Sequence, residues 1–154
     1  MALITYLAED NQTILDNLIE TLEDICDVKV AAHAVTQAEA SCWLTLHDGK
    51  WHLAIVDLFL KEGSGLGVLA GCRNRESYQK VVVLTNYATP EIRKRAADLG
   101  ADAVFDKTTE LDALYAYCTE QTANIRKEEV QQAQRDAVTF DAAVTAQVAG
   151  KHWQ

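Results

Sequence analysis

A chain of 154 residues, 49% of them hydrophobic and 24% charged, has the length and composition of one globular domain with a proper core and room for one extra element. The net charge of −9 is unevenly placed: residues 1–120 hold nineteen acids against ten bases, whereas residues 121–154 hold four of each. An acidic body without a basic stripe argues against direct nucleic-acid binding. Apolar runs such as Leu53–Val56 or Val81–Leu84 are far too short for a membrane span.

The start, Met1-Ala2-Leu3-Ile4-Thr5-Tyr6-Leu7, shows neither a basic region nor a small-residue cleavage site, so a cytoplasmic protein is expected. Cys26, Cys42, Cys72 and Cys118 are scattered, without a Cys-x-x-Cys pair, and read as buried or half-buried thiols in a reducing compartment. His33, His47, His52 and His152 show no zinc-ligand spacing either.

In chain order, short β-branched runs predict strands at Leu3–Ala8, Val28–Ala34, Leu53–Val56, Val81–Leu84 and Ala103–Phe105. Helical spacing fills the gaps. Ile14, Leu15, Leu18, Ile19, Leu22 and Ile25 form an apolar stripe for the first helix. Thr36-Gln37-Ala38-Glu39 is a capping box that opens the second. Ser64 or Gly65 starts the third, and Thr89-Pro90 starts the fourth, which Gly100 ends. Thr109 begins the fifth. Five strand-then-helix repeats imply an α/β fold with a doubly wound, five-stranded parallel sheet. The order 2-1-3-4-5 places ligands beyond the carboxyl ends of the strands, between the first and third.

At those strand ends stand Glu9-Asp10, Asp57, Thr85 and, past Asp106, Lys107. Three carboxylates crowded together raise one another's pKa unless a cation neutralises them. Hard oxygen ligands that leave places for water and phosphate oxygens suit Mg²⁺.

The segments Leu7-Ala8-Glu9-Asp10-Asn11, Ala54-Ile55-Val56-Asp57-Leu58, Val82-Val83-Leu84-Thr85-Asn86 and Gly100-Ala101-Asp102-Ala103-Val104-Phe105-Asp106-Lys107 resemble the receiver domain of bacterial response regulators. The resemblance covers roughly residues 3–120. It implies the flavodoxin-like sheet, Asp57 as phosphoacceptor, and a Mg²⁺ site made by Glu9, Asp10, Asp57 and the backbone carbonyl of Phe59. It further implies Thr85 as the switch hydroxyl and Lys107 as the phosphate partner. The expected partners are a histidine kinase or phosphotransfer protein and an output protein, met on the face made by the fourth helix, fifth strand and fifth helix. A homodimer is expected through that face or the tail.

Two departures bear on switching. The family's usual aromatic three residues before the lysine is Val104 here, and Phe105 points to the opposite face, as core. Movement is then expected through Asn86–Thr89 or Tyr87. Phe59 and Tyr87, two residues past Asp57 and Thr85, are both large and are expected to crowd an attacking water.

Other functions fit less well. An aspartyl-phosphate phosphatase needs a second carboxylate where Phe59 stands, and an FMN binder needs a Ser/Thr/Gly phosphate loop where Glu9-Asp10-Asn11-Gln12 stands. A pseudo-receiver acting by contact alone is the alternative that Val104 keeps open. The receiver is expected over residues 1–121, with residues 122–154 as a tail too short for an output domain. In that tail Val130, Ala133, Ala137, Phe140, Val144 and Val148 recur at spacings of three and four, an amphipathic pattern that either forms a helix or frays.

Overall fold

The computed structural model describes residues 2–152, with side chains through residue 145. Strands β1 (Leu3–Ala8), β2 (Val28–Ala34), β3 (Leu53–Val56), β4 (Lys80–Thr85) and β5 (Ala103–Asp106) form one parallel sheet in the order β2-β1-β3-β4-β5. Between and after them run α1 (Gln12–Ile25), α2 (Gln37–Leu46), α3 (Gly65–Gly71), α4 (Pro90–Asp98) and α5 (Leu111–His152). This is the flavodoxin-like doubly wound sheet that the strand-helix alternation predicts. The chain winds outward from β1 to β2, then returns to β3 on the other side of β1. A crevice therefore opens where β1 and β3 end together, Ala8 paired with Val56.

Every residue of β3 is buried, and in β4 only Lys80 is not, because helices cover both faces of the central strands. The edge strand β2 instead leaves Lys29, Ala31 and His33 exposed. In α1, Asn11 caps the start by accepting from the Ile14 amide at 3.0 Å, and Leu15, Leu18 and Leu22 face the core. Ile25 does not extend that stripe. It is 70% exposed, and Cys26, four residues after Leu22, takes the inward position.

Thr36, Ser64 and Thr89 cap α2, α3 and α4 with their hydroxyls. After α4, Gly100 adopts φ 100° while the Ala101 amide reaches back to the Ala96 carbonyl, a helix stop that favours glycine. Helix α5 starts at Leu111 rather than at Thr109, because the Asp106 carboxylate holds the Thr108 and Thr109 amides in a turn. Phe105 is core as expected, edge-on to Tyr117 with ring centroids 5.7 Å apart. Cys26, Cys72 and Cys118 are buried, whereas Cys42 is exposed.

Residues Met1–Thr122 form one compact unit and Ala123–Gln154 a second. In the second, α5 stays helical rather than frayed, and Val130, Phe140 and Val144 are 57%, 68% and 41% exposed. The Val148 side chain, next on the predicted stripe, lies outside the described residues. No helix among the described residues is long and apolar enough to cross a membrane.

Candidate functional site

Backbone pairing delivers each polar side chain to the crevice. Glu9 follows β1 and donates its amide to the Ala34 carbonyl at 3.0 Å. Asp57 follows β3 and donates to the Ala8 carbonyl at 2.8 Å, so it stands beside Glu9. Lys107 follows β5 and donates to the Thr85 carbonyl at 3.0 Å, which carries it back toward the centre of the sheet.

The side chains then meet. Lys107 Nζ lies 2.8 Å from Asp57 Oδ2 and 2.8 Å from Glu9 Oε2, with Glu9 Oε1 at 3.0 Å. Asp57 Oδ1 accepts from the Phe59 amide at 3.3 Å, and Glu9 Oε1 from the Asn11 amide at 3.2 Å. Glu9 and Asp57 are buried and Asp10 is exposed, yet one carboxylate oxygen from each falls within 4.8 Å of the others.

Burial pushes the Glu9 carboxyl up to about 7, and the neighbouring Asp57 charge adds to the rise, although Lys107 pulls the other way. Burial alone would lower the Lys107 ammonium, but hydrogen bonds and charges from Asp57 and Glu9 outweigh it and hold it above the usual lysine range. One lysine therefore does not fully compensate two buried carboxylates.

This donor set fits a small hard cation. All donors are oxygens, the deeper two lack full neutralisation, and exposed Asp10 leaves a side open for entry. Mg²⁺, a small cation that prefers hard oxygen ligands and keeps several of its waters, is the ion that these residues would hold.

Thr85 is fully buried at the end of β4, between the strands that carry Asp57 and Lys107. Its hydroxyl is engaged sideways, accepting from the Tyr87 amide at 3.1 Å rather than touching a carboxylate. Phe59 and Tyr87 meet edge to face, ring centroids 5.1 Å apart, and both remain more than half exposed.

Three further residues position the site in ways that their sequence patterns do not reveal. A Cβ on Gly65 would lie 2.1 Å from the Asp57 carbonyl oxygen, so only glycine lets α3 begin against the turn that holds Asp57. Gln37 Oε1 accepts from the Ser64 amide at 2.9 Å and fixes the same turn from α2. Arg93 on α4 grips the segment after Thr85. The alternation of glycines at 63, 65 and 67 is the one trace of this crowding in the sequence.

Fold and pocket together define a doubly wound α/β protein with a lysine-bridged acidic crevice at its topological switch point. A family model, the response regulator receiver domain, matches residues 5–119, and the chain belongs to that family. Solved structures agree on the fold. The signal receiver domain of a LuxO repressor protein from Vibrio parahaemolyticus is 19% identical with a TM-score of 0.71, covering 84% of this chain and 97% of that one. The receiver domain of the regulator NarL from Mycobacterium tuberculosis is 18% identical with a TM-score of 0.67, covering 82% and 97%. A response regulator from Burkholderia pseudomallei, solved with a phosphorylated aspartic acid, calcium ion and citrate, is 23% identical with a TM-score of 0.65, covering 84% and 74%.

Proposed function

We propose that this receiver domain is a phosphoacceptor switch. Asp57 takes a phosphoryl group from the phosphohistidine of a histidine kinase or phosphotransfer protein, in a Mg²⁺-dependent reaction, and an output protein reads the result. The reading is carried by the convergence of Glu9, Asp10 and Asp57 oxygens within 4.8 Å beside the Lys107 ammonium. The phosphorylated aspartic acid of the Burkholderia pseudomallei regulator supports it.

An Asp57 carboxylate oxygen attacks phosphorus. The O–P bond forms as the P–N bond breaks, and the departing imidazole keeps the electron pair. Mg²⁺ held by Glu9, Asp10, Asp57 and the Phe59 carbonyl would neutralise charge on the phosphoryl oxygens. Lys107 supplies a second, fixed positive charge at the same place. Thr85 gains a new acceptor only when a phosphoryl oxygen arrives, so its hydroxyl distinguishes the two states.

The chain acts here as a cytoplasmic signalling acceptor rather than an enzyme, since Phe59 stands where a phosphatase carries its second carboxylate. Its partner surfaces are the α4-β5-α5 face and the tail, either of which would also pair two copies. A second reading, a pseudo-receiver working by contact alone, is favoured by one observation: Val104 stands where the family usually carries the aromatic that couples the switch hydroxyl to the surface.

Intact mass measurement after incubation with Mg²⁺ and acetyl phosphate separates the two. One added phosphoryl group on the wild type and none on Asp57→Ala is expected. No gain with small donors or with any kinase would leave the pseudo-receiver.

A further inference from the structure

The Arg93 guanidinium joins three elements. Its Nε donates to the Ala88 carbonyl at 3.1 Å, and its Nη1 to the Val104 carbonyl at 2.9 Å. Its Nη2 pairs with Glu110 Oε1, just before α5, and the same oxygen accepts from the Asp106 amide at 3.1 Å. One side chain thus holds the segment between β4 and α4, the β5 backbone and the approach to α5.

The segment it holds has a second latch. The Tyr87 amide donates to the Thr85 hydroxyl, and the next residue, Ala88, is the one whose carbonyl Arg93 grips. When Thr85 turns toward a phosphoryl oxygen, the Tyr87 amide loses its acceptor, which releases the segment from that latch. The Ala88 carbonyl moves with it, and the rigid guanidinium fork transmits that shift to its other two partners.

We infer that Arg93 is the positioning residue that relays movement of Asn86–Thr89 to β5 and the start of α5, doing what no aromatic side chain at Val104 can do. The trigger rests on the phosphoacceptor reading; the relay itself is a property of the contacts. Lysine cannot replace the arginine, because a single ammonium keeps the charge toward Glu110 but lacks the planar three-way fork.

Residue-resolved amide exchange on the full chain, with Arg93→Gln and Arg93→Lys, tests the relay. Thermal melts confirm that both variants fold. In the wild type, phosphorylation with acetyl phosphate and Mg²⁺ should alter exchange at Tyr87 and also at Asp106 and Leu111. In both variants, phosphoryl uptake by intact mass should be unchanged and Tyr87 should still respond, while the response at Asp106 and Leu111 falls at least severalfold. An undiminished response there in both variants would overturn the relay.

Thr85→Ala gives a test that needs no phosphoryl group, because it removes the acceptor of the Tyr87 amide directly. It should alter exchange at Asp106 with Arg93 present and fail to do so in the double variant Thr85→Ala, Arg93→Gln. Equal changes in the single and double variants would refute the relay. Failure of the wild type to take up phosphate would count against the phosphoacceptor reading and leave this second comparison decisive for Arg93.

Discussion

The Lys107 ammonium rests 2.8 Å from the Asp57 carboxylate, a pair whose side chains are 8% and 5% exposed and whose residues are fifty positions apart. Both ends of this bridge have left water, and Glu9 shares the same ammonium. Removing one partner of a buried pair leaves uncompensated charge, which costs about 3–5 kcal/mol. Lys107→Met should therefore destabilise the metal-free protein by about that much in denaturant unfolding, with part of the loss restored by Mg²⁺. Unchanged stability would mean the bridge does not hold the metal-free pocket together.

The Glu9 carboxyl, raised by burial from the ordinary 4.5 to about 7, would make Mg²⁺ binding at this site pH-dependent. A folded-state pKa above the unfolded one favours folding while the group is protonated. That contribution is complete below 4.5 and is lost as pH rises toward 7, so the metal-free fold should weaken over this window. Metal binding runs the opposite way, because an ion must displace the Glu9 proton at low pH. Apparent Mg²⁺ affinity should be about tenfold weaker at pH 6 than at pH 8 by calorimetric titration, and Glu9→Gln should flatten the dependence as well as weaken binding.

Two glycines of α3 separate crowding from helix propensity. At Gly65 a methyl group would collide with the Asp57 carbonyl at 2.1 Å, whereas at Gly71 nothing lies within 4 Å of one. Gly65→Ala should cost about 1–3 kcal/mol and lower phosphoryl uptake, because the backbone that must yield belongs to the acceptor. Gly71→Ala should leave uptake unchanged and stability equal or higher by up to about 1 kcal/mol. Equal behaviour of the two variants would show that the close approach at Gly65 is relieved at little cost.

How much of this was legible in the sequence follows from what parallel topology does. It brings the ends of β1, β3 and β5 to one rim, so Glu9, Asp10, Asp57 and Lys107 could be grouped from strand boundaries alone. Thr85 was legible as a neighbour, but its engagement with Tyr87 was not, since the acceptor choice of a hydroxyl is set by the folded turn. Gly65 and Arg93 escaped for a related reason: Gly65 closes on the Asp57 carbonyl, and two of the three partners of Arg93 are the Ala88 and Val104 carbonyls, which no side-chain pattern records. Ile25 misled because apolar spacing does not mark where the last turn of α1 tips outward and Cys26 takes over. The tail pattern named a face without deciding between helix and frayed chain, since its alanines bury little area.

The contact between Phe59 and Tyr87, with centroids 5.1 Å apart, turns two separately noticed residues into one aromatic rim beside Asp57. Phe59 also donates its amide to Asp57 Oδ1, which ties the rim to the acceptor. On the phosphoacceptor reading, this rim would crowd a water approaching an acyl phosphate at Asp57. Phe59→Asn combined with Tyr87→Ser should shorten the phosphoryl half-life about tenfold, a barrier change of about 1.4 kcal/mol, followed by intact mass over time. The same half-life in wild type and double variant would rule out the rim as a water barrier.

In the tail, Val130, Ala133, Ala137, Phe140 and Val144 are separated by three, four, three and four residues, a repeat of 3.5 that suits a left-handed helix pair better than packing on a flat surface. A second copy of the chain would supply a matching seam. Parallel pairing would set Asp136 against Asp141 across it, two like charges where such pairs choose their partners by charge. Antiparallel pairing avoids that clash and lets Phe140 face Ala137, and Val144 face Ala133, of the other copy, large against small in each layer. The seam is short and alanine-rich, so association should be weak and concentration-dependent. Sedimentation over a wide concentration range should show reversible dimers that Phe140→Asp abolishes, while melting of the receiver unit stays the same. A monomer at every concentration, or a dimer that survives Phe140→Asp, would remove the tail as the site of pairing.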